Sequence, residues 1–442
     1  MQTEMISTVS STTKQEIEAC EPCKWTWVEA SIWTERMLAA LGNGDKGGKW
    51  FSLIDKVYSM ETLMRAWCKV KANKGVSGID RVSIERFEAN SSQYLKELQL
   101  HLRNGSYQPL PVKRVYIDKG NGQSRPLGIP VVKDRVVQAA LKMVLEPIFE
   151  KEFLDVSYGF RPRRGCKDAL REVNKLLKSG YHWVVDADLK SYFDTIPHQP
   201  LLKLVEQEIS DGQILTLIER YLKQPIVDDL KRWEPTLGTP QGAVLSPLLA
   251  NLYLHPLDKL MTNSGFKIIR YADDFVALCQ SKEEAENALK LIQHWTENND
   301  LILHPTKTHL GNYMLPGQGF DFLGYRFETG KRTVKAKSLK SFKDKIRLKT
   351  KRKGGTSLWH VINEINPILR GWFEYYKHAH FWIFNSIDGW IRRRLRARLR
   401  KHRKQGGSAK GINDHIRWPN KFFASYGLFS LHAAYISASR SR

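Results

Sequence analysis

The sequence predicts an α+β fold in which antiparallel hairpins lie between helical regions. One hairpin is indicated by "VKRVYI" (112–117) and "SRPLGIPVV" (124–132), which resemble strands on either side of the Gly- and Asn-rich turn "DKGNGQ". A second is indicated by two apolar runs, 267–271 and 275–279, that flank Asp273 and Asp274. Helical spacing of apolar residues dominates residues 50–102 and much of the last quarter of the chain.

The remaining elements follow in chain order. A helix is predicted over 134–149 and a strand over "YHWVVDADL" (181–189). Residues 337–355 predict a charged linker or a helix. The apolar stripe that begins at Leu358 is expected to break at Asn366-Pro367, with asparagine as the N-cap of a new helix and proline at its first position.

Positive charge is concentrated at the end of the chain. The 442 residues carry a formal net charge of +24, and residues 331–442 alone hold 28 Lys and Arg against 5 Asp and Glu. A nearly neutral body with a strongly basic final quarter indicates a nucleic-acid-binding region joined to a folded domain. A solubilising or disordered tail is the alternative, but the many aromatic residues there, Trp359, Trp372 and Trp390 among them, disfavour it.

Cysteine use and hydropathy favour a cytoplasmic protein with no membrane partner. No run of 18 apolar residues predicts a transmembrane helix, and the first 20 residues lack the features of a signal or transit peptide. The five cysteines are few and scattered, as is typical of proteins in a reducing compartment. Cys20 and Cys23 have the spacing of metal ligands, but no second pair accompanies them, so zinc is not expected there.

Acidic residues recur at two strand-like positions. Asp273 and Asp274 lie between apolar runs, and Asp186 and Asp188 in "VVDADLKSYFDTI" would face the same side of a strand. A single such aspartate is commonly a turn or capping residue. Two acidic sites on buried strands instead favour carboxylates neutralised by two Mg²⁺ ions, with Mn²⁺ as the alternative. Such a pair of ions indicates phosphoryl or nucleotidyl transfer.

The hairpin at 113–128 carries cations suited to a triphosphate. Lys113, Arg114, Lys119 and Arg125 surround its turn, and arginine can clamp phosphate with two parallel hydrogen bonds. Basic hairpins are common on protein surfaces, so this pattern gains weight only beside the acidic residues.

Together these motifs resemble a known family. "YADD" (271–274), preceded by "TPQGAVLSPLLANLYL" (239–254), "SYGFRPRRGCKDAL" (157–170) and "RPLGIP" (125–130), is similar to the group II intron-encoded reverse transcriptases over roughly residues 50–405. The resemblance implies a right-hand polymerase: fingers, an antiparallel palm and an α-helical thumb, or maturase X, domain. It also implies RNA-directed DNA synthesis.

The resemblance assigns a role to individual residues. Asp188, Asp273 and Asp274 match the catalytic, metal-binding aspartates, whereas Asp186 and Asp194 are expected to be structural. Phe193 matches the residue that excludes a 2′-hydroxyl group, with a core aromatic as the alternative. Contacts to the incoming nucleotide are implied for Lys113, Lys119, Arg125, Gln241 and Lys307. "FLGY" implies a primer grip at Phe322, Leu323 and Gly324; for this turn and for Lys307 a plain core or surface role remains open.

The basic region resembles the thumb of the same family. In "FNSIDGWIRRRLRARLRKHRKQ" (384–405), Ile391, Leu395 and Leu399 would dock one face of a helix. RNA binding is implied for the remaining faces, which carry Arg392, Arg393, Arg396, Arg400 and Arg403. Many relatives end with an HNH nuclease, but nothing after residue 405 supplies paired cysteines and histidines. An endonuclease-lacking member is therefore expected.

Residue patterns and the family resemblance together predict five regions. They are a loosely structured N-terminal extension (1–49), a helical extension (50–105), the fingers and palm (106–330), the basic thumb (331–405) and a short basic tail (406–442).

The implied partners are an RNA template, a DNA or RNA primer, deoxynucleoside triphosphates and the RNA of a bacterial group II intron, whose splicing and mobility the protein would promote. Two alternatives stay open: a splicing cofactor with an idle active site, and a domesticated polymerase that serves repair or defence. The three aspartates, all present, disfavour the first of these.

Overall fold

The structure is a computed structural model that describes residues 25–43, 48–120, 123–352, 355–403 and 411–440. Cys20 and Cys23 lie outside these ranges. The side chain of Lys119 lies outside the described part as well, although its backbone belongs to a strand.

Five helices form an N-terminal layer against the long helix α6 (Val132–Glu152). They are α1 (Glu35–Asn43), α2 (Ile54–Tyr58), α3 (Met60–Ala72), α4 (Ile84–Ala89) and α5 (Ser91–Arg103). Residues 25–43 were expected to be loosely structured, and this is wrong for them. Trp33 is 1% exposed and donates a hydrogen bond from Nε1 to the Met143 carbonyl of α6 at 3.2 Å. Burial of its large aromatic ring stabilises this segment.

The fingers sheet contains the basic hairpin. Its strands are β1 (Val112–Gly120), β2 (Gln123–Ile129), β4 (Ile226–Asp228) and β5 (Lys231–Trp233), in the spatial order β2-β1-β4-β5. The hairpin pairs β1 and β2 as predicted, while β4 joins β1 in parallel from a distant part of the chain. The sheet therefore depends on a long-range pairing as well as on the local turn.

The palm is an antiparallel sheet of four strands in the order β6-β7-β3-β8. Its strands are β3 (Trp183–Asp188), β6 (Lys267–Tyr271), β7 (Asp274–Cys279) and β8 (His309–Asn312). Val185 and Ala187 of β3 face one core and Val184 faces another, so both faces of the sheet are covered. The palm helices are α7 (Cys166–Lys178), α8 (Tyr192–Thr195), α9 (His198–Glu208), α10 (Gly212–Leu222), α11 (Ser246–Asn263) and α12 (Lys282–Asn298).

A small antiparallel sheet leads into the thumb. It comprises β9 (Phe320–Phe322), β10 (Tyr325–Glu328) and β11 (Lys331–Val334), with β10 in the centre. The thumb helices are α13 (Ala336–Lys349), α14 (Leu358–Tyr376) and α15 (Trp382–His402), and three short helices follow: α16 (Ile412–Arg417), α17 (Asn420–Ser425) and α18 (Leu431–Arg440). None of the described helices is long and apolar enough to cross a membrane.

The predicted break at Asn366-Pro367 is wrong, because α14 continues through Pro367. Val361, Ile365 and Leu369 are fully buried on both sides of the proline, and this packing outweighs the lost backbone hydrogen bond. Asn366 has a different role from an N-cap. Its side chain donates to the Gly427 carbonyl at 2.8 Å and accepts from the Phe429 amide at 2.9 Å, which holds the C-terminal helices against α14.

Candidate active site and nucleic-acid surface

The palm sheet brings three distant aspartates together. β3 and β7 pair antiparallel in a register that sets Asp188 directly opposite Asp274, and Asp273 lies in the turn between β6 and β7. Directly opposed side chains in such a pair have Cβ atoms about 5 Å apart. Asp186, two residues before Asp188, lies on the same face and is 8% exposed. Four aspartates therefore lie near the ends of the two central palm strands.

Burial and mutual repulsion disfavour the charged forms of Asp273 and Asp274. Burial, together with the neighbouring carboxylates of Asp186, Asp273 and Asp188, raises the pKa of Asp274 to about 7 against the opposing effect of Lys335. The pKa of Asp273 is raised by burial too, and the Asp188 carboxylate adds to this shift. Ionised carboxylates in such a place require cations.

The donor set suits a hard divalent cation, since carboxylate oxygens are the ligands that Mg²⁺ and Mn²⁺ prefer. Among the described residues no three Asp, Glu, His or Cys side chains converge as a ready chelating group. Asp188 instead accepts a hydrogen bond at 2.5 Å from Nζ of Lys307. The acids thus have the right chemistry and proximity, with a lysine serving as the counter-charge of one of them.

Asp274→Asn should stabilise the protein at pH 8 in the absence of divalent ions. The pKa of the native carboxyl lies near 7 instead of 3.8, so wild-type stability falls as the pH rises through this interval. A neutral amide removes that loss. Thermal unfolding should show the variant melting a few degrees above the wild type at pH 8, with a smaller gap at pH 5.

The matched control for this measurement is Asp155→Asn, because the Asp155 side chain is 91% exposed. It should leave the melting temperature unchanged at both pH values. A melting temperature of Asp274→Asn below that of the wild type at pH 8 would contradict the effect of burial described above.

Lys307 and the fingers residue Arg125 lie near the acids. The segment before Lys307 is fixed to β3 by a hydrogen bond from the His304 amide to the Asp188 carbonyl at 2.7 Å. Lys113 and Arg125 are exposed, and the charge of Arg125 lowers the pKa of Asp273. Three of the predicted nucleotide-binding cations are therefore exposed, and two of them, Arg125 and Lys307, lie near the acidic cluster.

Gln241 links the fingers to the palm. Its side chain accepts from Nε of Arg125 at 2.7 Å and donates to the Asp194 carboxylate at 3.3 Å. The Gln241 carbonyl also accepts from the Gly128 amide of β2 at 2.7 Å. Gly242, at φ +112°, leaves no room for a side chain against the Gly128 carbonyl. This contact fixes the fingers hairpin over the palm.

Phe193 lies beside these contacts on α8, and its carbonyl accepts from the Thr239 amide at 2.7 Å. It is only 7% exposed and belongs to the palm core. This burial favours the core role that the sequence left open, and sugar selection by Phe193 stays a prediction.

The predicted primer-grip turn joins β9 to β10. Phe322 is buried, while Leu323 and Gly324 adopt positive φ angles of 47° and 82°. The Leu323 carbonyl accepts from the Tyr375 hydroxyl at 2.8 Å, and a Cβ atom at position 324 would lie 2.7 Å from the Tyr376 hydroxyl oxygen. Tyr375 and Tyr376 thus fix the turn from the thumb. Sequence inspection missed this role, since both tyrosines resemble ordinary core residues.

Comparison with known proteins gives the family. Residues 117–327 match the model for reverse transcriptase (RNA-dependent DNA polymerase), and residues 339–418 match that for the group II intron, maturase-specific domain. Protein YkfC of Escherichia coli (strain K12) is 39% identical over 333 residues, which cover 66% of this chain and 87% of YkfC. The chain belongs to the group II intron-encoded reverse transcriptases. It thereby belongs to a family of RNA-directed DNA polymerases.

Two further similarities extend over part of this reverse transcriptase. The group II intron-encoded protein LtrA of Lactococcus lactis subsp. cremoris is 38% identical over 232 residues, covering 52% of this chain but 38% of LtrA. The chain therefore spans well under half of that relative. Among solved structures, the partial Cas6-RT-Cas1–Cas2 complex is 28% identical over 56% of this chain and 41% of that one, with a TM-score of 0.36.

In the thumb of this reverse transcriptase, the prediction that Arg396 binds RNA is wrong. The side chain is 2% exposed, and it donates from Nε to the Trp418 carbonyl at 2.9 Å and from Nη2 to Asn420 at 3.0 Å. A buried guanidinium that holds the segment after α16 has no surface to offer to phosphate.

Arg392 and Arg400 are partly buried and have acidic neighbours. Arg400 donates to the Asp414 carboxylate at 2.9 Å, and Nη1 of Arg392 lies 3.9 Å from Asp388. Asp388, four residues before Arg392, was the sequence signal for such a pair. Of the five predicted RNA-binding arginines, Arg393 and Arg403 are exposed.

Exposed cations that sequence inspection did not select lie on α13. They are Lys337, Lys340, Lys345, Arg347 and Lys349. Between α13 and α14 runs a groove whose rim includes Lys337 and Lys345 and whose wall includes Trp372. Exposed cations around an aromatic groove are a surface suited to a nucleic-acid backbone.

Proposed function

We propose that this chain extends a primer with deoxynucleotides on an RNA template by two-metal nucleotidyl transfer. The observation that carries the proposal is the register of β3 and β7, which sets Asp188 against Asp274 beside Asp273. In this proposal the three aspartates hold two Mg²⁺ ions. When bound, such ions activate an attacking hydroxyl group and stabilise the leaving phosphate.

The other side chains of the site bind and orient the substrates. Lys113, Lys119 and Arg125 hold the triphosphate from the fingers, and Gln241 lies beside the nascent base pair. Lys307, which neutralises Asp188 in the free protein, transfers its contact to the departing pyrophosphate. The turn at Phe322, Leu323 and Gly324 steadies the primer end, and the tyrosines of α14 keep that turn in place.

We infer a second role from the thumb. The matched maturase-specific domain and the exposed cations of α13 and α15 support binding of a group II intron RNA, with promotion of its splicing and mobility. The domain boundaries at 50, 106, 331 and 406 belong to the same proposal: a helical extension, the fingers and palm, the thumb, and the C-terminal segment.

Two assays, one for primer extension and one for splicing, test the two roles. The purified protein should extend an annealed primer on an RNA template with Mg²⁺ and deoxynucleotides, and EDTA should stop the reaction. It should also accelerate splicing of the intron RNA that surrounds its gene, at a salt concentration where that RNA does not splice alone. Splicing without primer extension would indicate a pure maturase. Extension without any flanking intron would indicate a domesticated polymerase.

Phe193→Val should increase incorporation of ribonucleotides by about tenfold or more. The proposed reason is that the Phe193 ring collides with a 2′-hydroxyl group, so a smaller side chain accepts it. The measurement is the ratio of kcat/KM for a deoxynucleotide to that for its ribonucleotide. Tyr192→Phe is the matched control, since it removes only the hydroxyl that binds the Ala250 carbonyl. Equal sugar selectivity in Phe193→Val and wild type would leave Phe193 as a core residue alone.

A further inference from the structure

A buried polar cluster lies beneath the turn that carries Asp273 and Asp274. At its centre Arg270 of β6 and Asp258 of α11 form an ion pair in which both side chains are 0% exposed. Arg270 donates from Nε to Oδ1 of Asp258 at 2.8 Å and from Nη2 to Oδ2 at 2.5 Å. The carboxylate is thus bound by two parallel hydrogen bonds, which fixes the plane of the guanidinium.

The remaining nitrogen of this guanidinium reaches the catalytic turn. Nη1 of Arg270 donates to the Ala272 carbonyl at 3.0 Å and to Oδ1 of Asn251 at 2.9 Å. Asn251 in turn donates to the Gly159 carbonyl at 2.7 Å. A Cβ atom at position 159 would lie 2.3 Å from the Ala272 amide nitrogen, so only glycine fits there. Ala272 is therefore confined between Arg270 and Gly159.

This confinement matters because Ala272 has a left-handed backbone. Its φ angle is +59°, which an alanine adopts only when its surroundings compensate for the strain. The next two residues are Asp273 and Asp274, and the conformation at Ala272 sets the direction in which the chain presents them. A relaxation of Ala272 to an ordinary φ would therefore turn the carboxylates away from Asp188.

We propose that Arg270, oriented by Asp258 and Asn251, is a positioning residue of the polymerase reaction. It holds Ala272 in the left-handed conformation, and it thereby fixes Asp273 and Asp274 against Asp188. This inference rests on the proposed function, since it assigns the placement of the same three aspartates to a residue that contacts neither substrate nor metal ion.

A purely stabilising ion pair is the competing explanation. Buried ion pairs contribute little net stability, because desolvation offsets their attraction, and apolar residues of similar size often replace both partners without loss. A pair retained only for stability would therefore be replaceable together. A pair that positions the turn would not, since the hydrogen bond to the Ala272 carbonyl disappears with it.

The test is the double variant Arg270→Met/Asp258→Leu, which removes both charges at once. It should fold, bind RNA with wild-type affinity and keep the KM for deoxynucleotide within about threefold. Its kcat for primer extension should fall about 10²-fold, as expected from a displacement of roughly 1 Å at a reacting centre. The matched control is Arg396→Met, another buried arginine but far along the chain in α15, whose kcat should stay at the wild-type value.

Two further measurements keep the outcome decisive. Arg270→Lys retains a charge for Asp258 but cannot also reach Ala272, so we expect it to show the same loss of kcat. It replaces the double variant as the test if the double variant does not fold. Mn²⁺ binding to the protein alone, measured by electron paramagnetic resonance, should weaken about tenfold in both variants. A wild type that binds Mn²⁺ yet extends no primer would refute the proposed function, and the Mn²⁺ comparison would still decide this inference. Wild-type kcat and Mn²⁺ affinity in a folded variant would overturn it.

Discussion

Replacing Asp273 and Asp274 together by alanine should abolish primer extension, with a fall in rate of at least about 10³-fold. In the proposed mechanism these two carboxylates, which the palm hairpin places beside Asp188, are two of the three that hold the ions. Loss of the several kcal/mol of charge stabilisation that bound divalent ions provide corresponds to such a factor. The assay is single-turnover extension of an annealed primer by one nucleotide.

RNA binding by the same variant should be nearly unchanged, because the exposed cations of α13 and α15 lie elsewhere. The Asp273→Asn/Asp274→Asn variant is the isosteric control, and it should be equally inactive. Its thermal stability at pH 8 without divalent ions should equal or exceed that of the wild type, since burial raises the pKa of both carboxyls. Parallel loss of RNA binding and activity would mean that the pair is structural.

Neutralising Arg393, Lys401 and Arg403 should flatten the salt dependence of RNA binding. These three cations of α15 and its C-terminus are exposed. Each phosphate contact releases condensed counterions, so removing three contacts should reduce the slope of log K against log salt concentration by about 2 to 3. The measurement is the affinity of a triple glutamine variant for RNA between 50 and 300 mM salt, the range over which we expect the largest change.

Arg396→Met is the control for this prediction, because Arg396 carries the same charge on the same helix but is buried. It should leave the slope unchanged and lower the free energy of unfolding by about 1–3 kcal/mol, since the Trp418 carbonyl loses its donor. If the slope changes in Arg396→Met and not in the triple variant, RNA does not bind to the exposed face of α15.

The palm was the part of the fold most accessible to prediction. Strand β6 was predicted at its observed limits, Lys267–Tyr271, and β7 differs from the prediction only by including Asp274. Runs of strand-forming residues on either side of a short turn determine such a hairpin locally. The basic hairpin of the fingers was predicted for the same reason, whereas its parallel partner β4 was not, because more than 90 residues separate the two strands.

The thumb shows where sequence patterns gave too little. A proline after asparagine predicted a helix start, but the buried stripe of α14 continues through Pro367 and Asn366 binds the C-terminal helices instead. A row of arginines predicted a basic surface, but Arg396 is buried and Arg400 is paired with Asp414. In both cases the deciding partner lies between 14 and 63 residues away.

The sequence by itself determined the acidic residues, the family resemblance and the positions of the palm strands, because these follow from residue type and short-range periodicity. The tertiary structure alone decided that Asp188 faces Asp274, that Arg270 contacts the turn that carries Asp273, and which arginines reach the solvent. Those outcomes depend on strand register and on contacts between distant segments, which no local pattern of residues records.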